Sequence, residues 1–173
     1  MFWAIGLLTT LTLTLPQQNL APFHATPNDV VDRMLELASA GNGDVVLDLG
    51  CGDGRIPIRA AEKYGARGIG VDIDQKLIEL AKANARKAGV EDLVTFRVED
   101  AMTTDVSRAT VVTLFLLPES NAKLRPILKK ALRPGARIVS HAFSMGPDWL
   151  ADKVETFTST NGDRVTLYLW VIR

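Results

Sequence analysis

Asp48-Leu49-Gly50-Cys51-Gly52-Asp53-Gly54-Arg55 is the stretch on which the fold turns. It closes a short apolar run, Asp44 to Leu49, and leads into Arg55 to Tyr64, which reads as a helix ended by Gly65. A strand passing through glycines into a helix opens a βαβ unit. Glycine lets the chain turn tightly and lets a ligand approach the backbone. The pattern is G-x-G-x-G, whereas the dinucleotide-binding loop reads G-x-G-x-x-G. Its acids matter more than its glycines. Asp48 at the strand end and Asp53 inside the loop repel a pyrophosphate and suit a ligand with a cationic group.

Downstream, strands and helices alternate. Gly68 to Ile73 reads as a second strand and Val94 to Val98 as a third. Between them, Gln75 to Ala88 carries Leu77, Ile78, Leu80, Ala81 and Ala85 at helical spacing, with Gly89 as its stop. Ala109 to Leu117 is a continuous apolar run, as expected of a strand covered on both faces. Glu119 to Leu132 reads as a helix with a kink or restart at Pro126, and Arg137 to Phe143 as a fifth strand. Val154 to Thr160 and Arg164 to Ile172 flank Asn161-Gly162, a hairpin signal. Upstream, Thr26 is placed to cap a helix, with Pro27 at its first position and Asp29 completing a capping box. The fold class is therefore α/β: an open, doubly wound, mostly parallel sheet with an antiparallel C-terminal hairpin.

With 173 residues the chain fits one domain. Lys plus Arg and Asp plus Glu are 20 each, so no basic surplus points to nucleic acid. One cysteine excludes a disulfide framework, and two distant histidines argue against a metal site. No Asp, Glu, Lys or Arg precedes Asp29, and Phe2 to Leu15 is apolar apart from threonines. Residues 1–21 are read as a hydrophobic anchor or signal-like segment, and residues 22–173 as the domain. As a helix, Phe2 to Leu15 reaches about 21 Å, short of a bilayer core of about 30 Å.

Two further acids fall at strand ends. Asp72 ends the second strand, where a carboxylate can accept from ribose hydroxyls, and Ile73 can pack on an adenine face. Asp100 follows the third strand, where a carboxylate can accept from an adenine amino group.

In this order and spacing the motifs resemble the class I S-adenosylmethionine-dependent methyltransferases. Asp48 to Gly54 looks like their first motif, Asp72 like their second-strand acid and Asp100 like their adenine-side acid. The resemblance covers Thr26 to Arg173 and implies a Rossmann-like sheet of order 3-2-1-4-5-7-6. Pro22 to Pro27, Leu116 to Asn121, Leu124-Arg125-Pro126 and Val139-Ser140-His141 also resemble a smaller family of protein lysine methyltransferases. That family includes archaeal and bacterial members, and mitochondrial enzymes acting on the ATP synthase c-subunit and the adenine nucleotide translocase. His24-Ala25 stands where the family more often has Val-Pro.

What the resemblance implies is an S-adenosyl-L-methionine site built from Thr26, Asp48, Gly50, Cys51, Gly52, Asp53, Gly54, Asp72, Ile73, Asp100 and Ala101, with no metal. Glu119 is the candidate to stabilise and orient an acceptor ammonium, with Asn121 as a positioning amide. The implied partner is a protein with an accessible lysine, with membrane association through residues 1–21 and no nucleic acid. The competing readings are a methyltransferase for a small or lipid-like acceptor and a non-catalytic cofactor-binding module. Because the cofactor is made inside cells, the domain is expected to face the cytoplasm or an organelle interior. His141, Trp149, Tyr168 and Trp170 are read as packing residues, and Cys51 as a small loop residue.

Overall fold

The computed structural model describes residues 24–173, so the boundary at residue 21 and the apolar segment before it lie outside the described residues. Helix α1 (Asn28–Leu37) precedes strand β1 (Val45–Leu49). The chain continues through α2 (Arg55–Tyr64), β2 (Arg67–Asp72), α3 (Gln75–Ala88), β3 (Val94–Val98) and β4 (Val111–Leu114). It ends with α4 (Pro118–Ala131), β5 (Arg137–His141), β6 (Lys153–Thr158) and β7 (Arg164–Val171). The strands form one sheet of order β3-β2-β1-β4-β5-β7-β6, as the sequence implies. Strands β1 to β5 pair in parallel, and β7 runs antiparallel to both β5 and β6.

Alternation along the strands sends side chains into two helical layers. Val46, Val111, Val139 and Leu167 pack with Val30, Met34 and Leu35 of α1 and Ile56 of α2. Leu47, Leu49, Leu114, Ile138 and Trp170 point the other way, with Leu124 and Leu128 of α4. Leu124 and Leu128 are fully buried. Truncating such a side chain to alanine costs about 2–5 kcal/mol. That face holds α4 together through Pro126, which removes one backbone donor without ending the helix. The indole Nε1 of Trp170 donates to the Trp149 carbonyl at 3.0 Å, and Tyr168 stacks at 6.0 Å. These aromatic rings pack in the core layer beside α4.

Three local details differ from the sequence reading. Thr26 does not cap α1; the helix begins after Pro27 with no side-chain cap. The Asp29 carboxylate instead accepts from Ser159 Oγ and the Thr160 amide, tying α1 to the β6–β7 hairpin. Strand β4 spans only Val111–Leu114, because Phe115 and Leu116 leave the sheet for the cleft described below. The hairpin turns through residues 159–163 with the Gly162 amide on the Ser159 carbonyl and Gly162 at φ +90°, a glycine bulge in place of a two-residue turn.

Candidate active site

The carboxyl ends of β1, β2, β3 and β4 converge on one cleft of about 450 Å³. That volume suits a cofactor-sized molecule. An open α/β sheet places such a crevice where strand order reverses, here between β1 and β4.

The glycine loop forms the floor. The Gly50 and Cys51 amides both donate to the Val71 carbonyl at 2.9 Å, fastening the loop to β2. Gly50 and Gly52 adopt positive φ (+86° and +52°) and line the cleft. Gly54 also has positive φ (+80°), but it serves packing. A Cβ there would lie 2.6 Å from Phe96 Cζ, so the glycine is what lets the loop close onto β3 and α3. Gly54 therefore stands outside the lining that the sequence assigns to it.

The acids differ in role. Asp72 accepts from the Gly52 amide (3.0 Å) and the Asp74 amide (3.0 Å), each through a different oxygen. Each oxygen keeps a further lone pair for a hydroxyl in the cleft. Asp48 is buried (4% exposed) and accepts from Thr113 Oγ1 at 2.7 Å. Burial, with the Asp72 and Asp53 carboxylates nearby, pushes its pKa up to about 7. Asp53 is gripped on both oxygens by Arg55 (2.9 and 2.6 Å), whose other nitrogen donates to the Thr26 carbonyl at 2.7 Å. Its charge is thus offset within the loop, and Asp48 and Asp72 supply the field that favours a cation. The Cys51 thiol is buried beside these acids, which with burial raises its pKa and keeps it protonated.

Thr26, Asp48, Gly50, Cys51, Gly52, Asp53, Asp72, Ile73 and Ala101 all line the cleft. Asp100 does not. Its carboxylate turns back onto the Met102 amide (2.9 Å), closing the turn after β3, and Glu99 presents the cleft's acid at that edge. Glu119 is exposed on the first turn of α4, outside the lining. Asn121 is wholly buried, and its amide nitrogen donates to Ser140 Oγ (3.3 Å) and to the Phe143 (3.1 Å) and Ser144 (3.4 Å) carbonyls. Its nitrogen braces the loop after β5, while its Oδ1 is buried with no hydrogen-bond partner among the described residues. His24, Phe115 and Leu116 also line the cleft and were missed as site residues. The signal was available: they stand in the two stretches, Pro22 to Pro27 and Leu116 to Asn121, that carry the narrower resemblance, or directly beside them.

Residues 48–153 match the model of the ANTKMT methyltransferase domain family. The chain belongs to that family. The methyltransferase is 43% identical to a protein-lysine N-methyltransferase of Saccharolobus islandicus, over 87% of this chain and 93% of that protein. It is 29% identical to an ATP synthase c-subunit lysine N-methyltransferase of Xenopus laevis, over 77% of this chain and 58% of that protein. Among solved structures, it is 53% identical to a Salinibacter ruber protein described as an RNA methyltransferase in complex with S-adenosyl-L-homocysteine. That likeness has a TM-score of 0.80 and covers 86% of this chain and 94% of the other. The chain is thus an S-adenosylmethionine-dependent methyltransferase with the seven-strand Rossmann-like fold.

The cleft fits that cofactor on its own chemistry. Asp72 offers free lone pairs beside the glycine loop, as ribose hydroxyls require. Asp48 is a buried carboxyl group that a nearby cation would stabilise as carboxylate. No helix among the described residues is long and apolar enough to cross a membrane.

Proposed function

We propose that the methyltransferase acts on lysine side chains of protein substrates. One observation carries this reading over transfer to nucleic acid. Among the described residues, Arg55 is the one lysine or arginine lining the cleft, and Asp53 holds it. No free cation therefore waits for a phosphate, and the β4 end of the cleft offers the rings of His24 and Phe115. The S. islandicus relative, described as a lysine methyltransferase, supports the same reading. A second reading, RNA as acceptor, rests on the description of the S. ruber protein.

S-adenosylmethionine, when bound, supplies a methyl group on a sulfonium. The chain's residues must present a neutral amine to it in line. At neutral pH, taking the proton from a free lysine costs about 4–5 kcal/mol. Withdrawing the amine from water into the cleft disfavours the ammonium and lowers that cost. Glu119 is proposed to draw in and orient the ammonium and to pass its proton to water. Its exposed place on the first turn of α4, shortly after the cleft-lining Leu116, supports this. Because the cofactor is made inside cells, we further place the domain on the cytoplasmic or organelle-interior side, with residues 1–21 as its tether to a membrane. Flotation of the full chain with vesicles, lost on deleting those residues, tests the tether.

The acceptor class is tested with methyl-labelled S-adenosylmethionine and a cell extract, divided between protease and ribonuclease. Label released by protease and recovered as methyl-lysine is the expected result. Label released by ribonuclease, or held on a small molecule, would replace the lysine reading.

A further inference from the structure

The two sides of the cleft are built differently. Asp72, Ile73, Glu99 and Ala101 line the cleft from the ends of β2 and β3, on one side of β1. Phe115 enters from the end of β4, on the other side, and His24 from the segment before α1. Behind Phe115 stands His141, the last residue of β5, with ring centroids 4.0 Å apart and planes at 32°. His24 meets the Phe115 ring edge-on at 6.2 Å.

His141 is 8% exposed, and its Nδ1 has no hydrogen-bond partner. Burial and the neighbouring His24 hold its pKa down at about 4, so the ring is neutral at physiological pH. The next residue, Ala142, has φ +66°, and the Phe143 amide donates to the His141 carbonyl at 2.8 Å. This is a γ-turn in its rare positive-φ form, which strains any residue with a Cβ. It is held from several sides. The Ala142 amide donates to the Thr166 carbonyl (2.8 Å), Ser140 Oγ to the Phe143 carbonyl (2.6 Å), and Asn121 to the Phe143 and Ser144 carbonyls. Strain kept in place by so many bonds concentrates at functional positions. Here its effect is to fix one imidazole behind one ring.

We propose that His141 is a positioning residue for the acceptor: clamped by the turn at Ala142, it backs the Phe115 ring, against which, with His24, the acceptor amine docks. This rests on the lysine reading for the class of acceptor. The ring face acts, not the nitrogens, so phenylalanine can replace His141 and alanine cannot.

The test uses the S-adenosylhomocysteine-bound enzyme and n-butylamine, the lysine side-chain mimic, followed by the histidine ring signals in NMR. In the wild type the His24 and His141 signals shift on titration. His141→Ala weakens amine binding about three- to tenfold, the worth of a lost aromatic pair. His141→Phe, followed through His24, restores it, and both variants keep the wild-type affinity for S-adenosylhomocysteine. Ala142→Gly, which relieves the φ strain, melts no lower than the wild type yet binds the amine more weakly. Unshifted histidine signals, or equal amine binding by His141→Ala, would overturn the proposal. If label reaches lysine in the extract while the signals stay still, the lysine reading survives and this inference falls. Shifted signals without lysine label leave an amine-binding end and remove the lysine reading.

Discussion

Replacing Asp48 with asparagine should make the ligand-free protein more stable and the cofactor weaker. Asp48 is buried at the end of β1, accepts from Thr113 Oγ1, and faces the Asp72 and Asp53 carboxylates. Its pKa rises from 3.8 to about 7, mostly through burial. Between those values the folded protein keeps a proton that the unfolded chain has lost. Stability therefore declines as pH rises from about 4 to about 7 and is level above. Three pK units set a ceiling of about 4 kcal/mol, and water and relaxation in an open cleft reduce it to about 1–3 kcal/mol. Asparagine is neutral throughout and keeps an oxygen for Thr113. Urea denaturation of ligand-free protein should show Asp48→Asn close to wild type near pH 4 and about 1–3 kcal/mol more stable near pH 8. Calorimetric titration should show S-adenosylmethionine bound about 10- to 100-fold more weakly, the worth of a hydrogen bond to a charged group. A variant less stable than wild type near pH 8, or one with unchanged cofactor affinity, would refute the reasoning.

Three other outcomes are expected. Gly54→Ala forces a Cβ against Phe96 at φ +80° and should cost about 2–4 kcal/mol, whereas Gly89→Ala, at φ +70° with open space around it, should cost about 1 kcal/mol. Equal losses on urea denaturation would contradict the packing role of Gly54. His141, with its pKa lowered from 6.5 to about 4, contributes stability that is complete above the unfolded value and lost as pH falls through that window. Wild type should therefore lose about 2–3 kcal/mol more than His141→Phe between about pH 7 and pH 4, and parallel acid curves for the two would contradict the burial of a neutral imidazole. Glu119→Gln should slow lysine methylation at least about tenfold with cofactor affinity unchanged; full turnover would remove Glu119 from the reaction.

The sheet was legible because each layer writes its own period. Val46 and Leu47 go to opposite helical layers, and Val165 and Leu167 separate from Tyr168 and Trp170 in the same way. The strand ends were legible because Asp48 and Asp72 sit there. What the sequence left open was the direction of side chains once the chain leaves the sheet. Glu99 and Asp100 are adjacent acids, and only the turn that engages the Met102 amide decides which faces the cleft. Phe115 read as one more residue of an apolar strand, although it is the first beyond it. Asp53 looked like a free charge because Arg55, two residues on, reads as the start of a helix. Asn121 has the right chemistry to touch an acceptor, and its burial is set by the loop after β5, 22 residues away in the case of Phe143.

The central claim is that the cleft at the ends of β1 and β2 holds the methyl donor. Calorimetric titration of S-adenosylmethionine into wild type, Gly52→Arg and Asp72→Ala tests it most directly. Gly52 lines the floor at φ +52°, and Asp72 holds its amide, so both changes strike the site at points about which the core does not turn. One cofactor bound per chain in the wild type, with binding lost in Gly52→Arg and weakened at least about tenfold in Asp72→Ala, is the predicted result. Wild-type affinity in both folded variants would put the cofactor somewhere else and undo the account.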